Sequence, residues 1–80
     1  MEQALIFEKT VAAFRRVFGK ETTITPDTPA RDLKGWDSLN HVILIRELEK
    51  EFAIEIDLFD ALELTSVREI IRIIDEKLNL

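Results

Sequence analysis

Residues 19–37 have no helical period, yet they lie between two segments that do. The stretch contains Gly19, Pro26, Pro29 and Gly35, and Pro26-Asp27-Thr28-Pro29 is turn chemistry. Proline lacks the N–H that a helix interior needs, so no helix runs through it. A connection this long is unusual in a small domain and is often functional. Ile24, Leu33 and Trp36 are spaced apolar residues that can tack it onto a helical core. The expectation is an ordered loop with a short helical turn near Ala30–Leu33.

The flanking periodicity defines the helices. Over residues 2–18, Ala4, Phe7, Val11, Phe14 and Phe18 recur at spacings of three and four, which places them on one face. Gly19 follows and suits a left-handed position after the helix end. A second helix spans 38–53. Val42, Ile45, Leu48, Glu49 and Phe52 form one side, with Leu39 on its margin. Asn40, Ile43, Glu47 and Glu51 fall opposite at 100° per residue, flanked by Leu44. Ile43 therefore points away from the stripe, either to meet a partner or to be covered by a neighbouring segment.

Leu58, Phe59, Ala61, Leu62 and Leu64 read as one or two helical turns, with Asp57 as cap. The last helix covers 66–78. Ser66-x-x-Glu69 matches the capping box, and Val67, Ile70, Ile71, Ile74 and Leu78 form its stripe. Only residues 53–57 alternate like a strand, and a lone strand has no partner. The expected fold is all-α: one domain over 1–80, a small antiparallel four-helix bundle with three long helices and one short.

Composition excludes several classes. The chain has 80 residues, no cysteine and one histidine, so it has no disulfide framework and cannot build a zinc site from His41 alone. No apolar run exceeds four residues, so nothing spans a membrane. A basic-then-apolar signal pattern is missing, and the expected location is cytoplasmic. Net charge is −5, and it is uneven. Residues 47–63 hold seven acidic groups against Lys50, whereas the flanks are close to neutral. That balance argues against nucleic acid and anionic membranes. It suits docking onto basic protein surfaces as well as plain solubility.

The remaining constellation is Gly35-Trp36-Asp37-Ser38-Leu39, which closes the loop and opens the second helix. A helix start presents unpaired N–H groups and the positive end of the macrodipole, an environment that favours phosphate. Ser38 can thus carry a phosphodiester, although Asp-Ser before an apolar run is also an ordinary N-cap. Ser38 and His41 are three apart and could suggest a nucleophile and its base. Nucleophilic catalysis also needs an orienting group, an oxyanion site and a cleft, which one histidine in 80 residues does not supply. The reading is therefore of a non-enzyme, with His41 a flanking surface residue.

The run Asp32-Leu33-Lys34-Gly35-Trp36-Asp37-Ser38-Leu39 resembles the phosphopantetheine attachment signature of acyl carrier proteins. The similarity continues through Leu48-Glu49-Lys50-Glu51-Phe52, Ile54-Glu55-Ile56 and Leu64-Thr65-Ser66-Val67, and covers nearly the whole chain. The resemblance implies that Ser38 receives 4′-phosphopantetheine from coenzyme A through a phosphopantetheinyl transferase. The arm's thiol would then carry an acyl group as a thioester. Asp37 and Leu39 are implied as its neighbours at the cofactor site. Leu39, Ile43, Glu47, Glu49 and Ile56 are implied or expected at the partner surface. Val42, Leu48, Ala61, Leu64 and Val67 match positions that can line an acyl crevice.

Implied partners are acyl-loading, acyl-transferring and condensing enzymes with basic docking surfaces, met by a monomeric carrier. Fatty-acid members are usually acidic where this chain has Asn40 and Ile43, and Arg46 adds a positive charge. The implied pathway is fatty-acid, polyketide or other specialised biosynthesis, and these departures tilt the reading toward a dedicated pathway over docking to generic fatty-acid enzymes. The initial Met and abrupt end suggest a free-standing protein. Two alternatives stay open. One is an aminoacyl or peptidyl carrier, against which Trp36-Asp37 argues. The other is a carrier-like interaction module whose serine is never modified.

Overall fold

A computed structural model describes residues 2–79, so Met1 and Leu80 of the expected domain lie outside the described residues. Among the described residues four helices follow one another: α1 (Gln3–Phe18), α2 (Ser38–Phe52), α3 (Leu58–Glu63) and α4 (Val67–Leu78). A 3-10 turn, Ala30–Asp32, interrupts the first loop near the expected position. Among the described residues there is no strand, only an isolated bridge between Pro29 and Ser66.

The helix boundaries follow local chemistry. Asp37 Oδ1 accepts from the Asn40 amide (2.9 Å), Asp57 Oδ1 from the Asp60 amide (2.8 Å) and Ser66 Oγ from the Glu69 amide (3.2 Å). Each side chain satisfies one of the donors that a helix start leaves orphaned. Only one arm of the capping box forms at Ser66. The Glu69 carboxylate turns to the Thr65 hydroxyl (2.9 Å) instead of the Ser66 amide. After α1, Gly19 takes φ 118° and ψ 148°, a positive-φ conformation outside the left-handed helical region expected of it. The helix-ending αL residue is Ala53 after α2, at φ 54° and ψ 48°, so α2 stops one residue earlier than its pattern suggests.

The pairing of α1 with α2 is antiparallel, as three contacts show. Phe18 meets Trp36 just before α2, Arg16 meets Glu47, and Lys9 lies over Phe52 at its end. The first loop is fastened to the start of α4 by two backbone bonds, Ala30 N to Thr65 O (2.8 Å) and Val67 N to Thr28 O (2.9 Å). An Arg68–Asp27 ion pair lies beside them.

The core corrects the expected faces of the long helices. On α2 the buried residues are Leu44, Ile45, Leu48 and Phe52; Leu44 is 0% exposed, while Val42 and Ile43 are largely open. Val42 was expected on the core stripe and Leu44 beside the polar side. The reason lies in Glu47 and Glu51, whose charges make that flank look solvent-facing. Arg16 donates to both (2.8 and 2.9 Å), and α1 covers the side they border. On α1 the buried line is Ile6, Thr10, Ala13 and Phe14, whereas Ala4 is exposed. Thr10 is buried because its hydroxyl donates to the Ile6 carbonyl (2.8 Å), which removes the desolvation cost. On α4, Ile73 joins Val67, Ile70 and Ile74 in the core, and Ile71 is only partly buried.

The Arg16–Glu47 contact makes the α1–α2 junction sensitive to acid. The Arg16 hydrogen bond, above other contributions, holds the Glu47 carboxyl below its usual range; Glu47 in turn raises Arg16. A depressed carboxylate stabilises the fold above its unfolded pKa and ceases to do so as pH falls through the folded value. Arg16→Met is therefore expected to lower the unfolding midpoint near pH 7, with a gap to the parent that closes below the ordinary carboxylate range. Denaturant melts across pH check this. Leu44→Ala is expected to cost about 2–5 kcal/mol, and Ile43→Ala under about 1 kcal/mol. Equal losses would restore the face read from periodicity. Ala53→Gly is expected to stabilise the chain by roughly 0.5–1 kcal/mol by relieving the αL penalty.

Candidate functional site at the start of α2

Trp36 sets the position of the segment that enters α2. Its ring meets Phe14 edge-on at a centroid distance of 5.2 Å and Phe18 at 6.2 Å. Such aromatic contacts add about 0.5–1.5 kcal/mol beyond the buried area. Gly35 turns the chain just before it with φ 93°, a conformation that side chains other than glycine's rarely adopt. The Gly35 carbonyl then accepts from the Asp37 amide (2.9 Å) and from Asn40 Nδ2 (2.7 Å).

Ser38 follows as the first helical residue. The cap is made by Asp37, so no hydrogen bond among the described residues engages the Ser38 hydroxyl, and the residue is exposed. The Ser38 and Leu39 amides have no intrahelical partner, as at any helix start. An oxygen nucleophile, two free amides and the positive end of the dipole thus share one exposed place, where an esterified phosphate is favoured. Leu39 projects beside it and is 70% exposed.

Ser38 stands at the rim of an open-sided crevice of about 780 Å³ between α2 and α3. Trp36, His41, Val42, Ala61 and Leu64 are among the residues lining it. Its size lies in the range of small-molecule pockets. Of the residues matched to an acyl crevice, Val42, Ala61 and Leu64 line it. Leu48 and Val67 do not line it and are fully buried in the core.

The residues expected at the partner surface divide. Leu39 and Ile43 are exposed. Glu47 is engaged by Arg16 and Lys50. Glu49 Oε2 accepts from the Ile56 amide (2.9 Å) and pins the turn between α2 and α3, and Ile56 itself is buried. Leu58 and Leu62 of α3, which line the crevice, are open to solvent, as is Phe59 of the same helix at 81%.

His41 is not the flanking surface residue that the sequence suggests. Its Nδ1 accepts from Trp36 Nε1 (2.8 Å), and its Nε2 meets the Ala61 carbonyl at 2.6 Å. The sequence places His41 on the Ser38 side of α2. Ala61 is twenty residues away, and no local pattern reveals a bond of that separation.

The sequence matches the family described as "Phosphopantetheine attachment site" over residues 8–74. Among solved structures, the chain is similar to the solution NMR structure of a holo acyl carrier protein from Geobacter metallireducens. The two share 33% identity, with 92% of this chain and 86% of that chain covered, at a TM-score of 0.80. No helix among the described residues is long and apolar enough to cross a membrane. With an exposed hydroxyl at a helix start, a crevice beside it and a family match over most of its length, the chain belongs to the phosphopantetheine attachment family, as a non-catalytic carrier of the acyl carrier protein type with a covalently attached 4′-phosphopantetheine.

Proposed function

We propose that Ser38 Oγ is the attachment point and that the carried cargo is an acyl group of a specialised biosynthetic pathway. The observation that carries the first part is the division of labour at the start of α2. Asp37 caps the helix, which leaves the neighbouring hydroxyl unbonded and exposed. When bound, the group supplies a terminal thiol that holds the acyl chain as a thioester. The protein's own residues position its phosphate end. Ser38 anchors it, the amides of Ser38 and Leu39 face it, and Asp37 holds those amides in helical order. Val42, Ala61 and Leu64 give an apolar lining against which a short acyl chain can rest.

The pathway assignment rests on the surface around Ser38. Leu39, Val42 and Ile43 of α2 and Leu58, Phe59 and Leu62 of α3 leave much apolar area open. Contiguous exposed apolar surface marks interaction sites. Three of the seven carboxylates of residues 47–63 are paired with cations within the chain. Glu47 and Glu51 are paired with Arg16, Asp60 lies 3.5 Å from Lys77, and Glu49 and Asp57 accept backbone amides. Partner enzymes therefore meet the carrier mainly through apolar contact, with Glu49, Glu55, Asp57 and Glu63, which no ion pair among the described residues engages, adding an acidic component, and the carrier docks as a monomer.

Incubation with a phosphopantetheinyl transferase and coenzyme A, followed by mass spectrometry, is expected to add one phosphopantetheine to the parent and none to Ser38→Ala. The same variant is expected to change unfolding free energy by no more than about 0.5 kcal/mol, while Asp37→Ala loses about 1 kcal/mol. Loading of Ser38→Ala would move the attachment point elsewhere. Leu39→Ala is expected to lower the transferase kcat/KM at both low and high salt, because apolar contact is little screened. A loss confined to low salt would return the docking to charge.

A further inference from the structure

We infer that His41 is a proton-operated latch between the segment ahead of Ser38 and α3, and that proton uptake frees Trp36 at the mouth of the crevice. The inference rests on bond geometry and does not require Ser38 to be the attachment point. The indole N–H of Trp36 can only donate, so His41 Nδ1, 2.8 Å away, carries no proton. The Ala61 carbonyl can only accept, so Nε2, 2.6 Å away, carries one. The two partners together select the neutral Nε2–H tautomer. The rings of Trp36 and His41 also stack, with centroids 6.0 Å apart and planes 22° from parallel. One imidazole thereby joins three elements around the crevice: the end of the first loop, the first turn of α2 and the last turns of α3.

Protonation affects the two bonds differently. A second proton on Nδ1 sets one N–H against another, and the Trp36 bond cannot survive. The Nε2–H donor to Ala61 remains and becomes charge-assisted, at the carbonyl end of a helix, where a cation is favoured. The ring thus stays with α3 and releases the loop. The freed indole N–H lies at a wet rim, where water replaces the lost acceptor. Phe14 and Phe18 still hold the ring's apolar body, so release changes its mobility and tilt without expelling it from the core.

The charged groups that face the imidazole across the crevice are few. Asp37, Arg46 and Glu49 line it, all from α2 or its cap. The α3 lining is the apolar Leu58, Ala61 and Leu62, and Asp60 is turned to Lys77 of α4. Toward α1 the neighbours reached through Trp36 are Phe14 and Phe18. None of the charged three is hydrogen-bonded to the ring among the described residues, so the switch lies in the imidazole itself.

The test uses the full-length holo protein labelled with 15N, titrated from pH 8 to pH 5. Long-range proton–nitrogen spectra at pH 8 are expected to show His41 protonated at Nε2 and bare at Nδ1. As the ring charges, the protection of the Trp36 indole N–H, taken relative to its intrinsic exchange rate at each pH, is expected to fall roughly fivefold or more, with the midpoint of the imidazole signals. In His41→Gln that pH response should vanish. The opposite tautomer at pH 8, an indole indifferent to the imidazole titration, or a response that persists in His41→Gln would each overturn the inference. The first two are read on the parent protein, so they decide the matter even if the variant does not fold.

Discussion

The edge-on contact of Trp36 with Phe14 is the constraint from which the rest of the site follows. A first loop of nineteen residues carries a large entropic cost if left free. Ile24 in the core and the backbone bonds to Thr65 and Val67 hold its middle, but neither fixes where α2 begins. Trp36 does. Its ring fills the gap beside Phe14 and Phe18 and sets the residue before the cap against α1. Asp37 and Ser38 then leave the core in a defined direction, at the edge of the crevice. A smaller residue at 36 would keep the cap chemistry and lose its placement.

That placement explains why two polar residues in a row do different work. The first has its backbone in the extended cap conformation, and its carboxylate reaches forward to the amide three residues on. The second is already helical, and its short side chain cannot reach the same donor. One residue of register separates the capping side chain from the exposed, unbonded one. The sequence left two competing readings of Asp37-Ser38, an ordinary cap or a hydroxyl able to carry a phosphodiester. Which residue did which depended on where the loop delivered the chain, and so on a tertiary contact.

The same distinction marks what was legible elsewhere. Helix existence, the caps at Asp57 and Ser66 and the turn at 30–32 rest on local spacing, and they were readable; the attachment signature was legible only as a resemblance to a known family. The faces were less so. Leu44 shares its side of α2 with Glu47 and Glu51, which pair with Arg16 of α1, and Thr10 is a polar residue made apolar in effect by a bond to its own helix. A stripe drawn from hydrophobicity counts such residues on the wrong side, because hydropathy cannot show that a charge has a partner on another helix. His41 is the extreme case. Both of its hydrogen-bond partners are side-chain or backbone atoms brought together only by the fold.

The acidic stretch 47–63 shows why charge counted along a chain is a poor guide to charge presented at a surface. Seven carboxylates against one lysine read as a field able to steer a basic partner. In the fold, Arg16 and Lys9 of α1 come down onto Glu47 and Glu51, and Lys77 of α4 comes near Asp60. Each pairing reduces the local field to a dipole, whose reach falls off faster than that of a charge. The apolar side chains between these pairs gain relative weight for that reason. Leu39, Ile43 and Phe59 are exposed, and no ion pair among the described residues covers them. If partners dock as proposed, shape and apolar fit, which depend on the particular enzyme, weigh more in selection than a long-range attraction that any basic surface could supply.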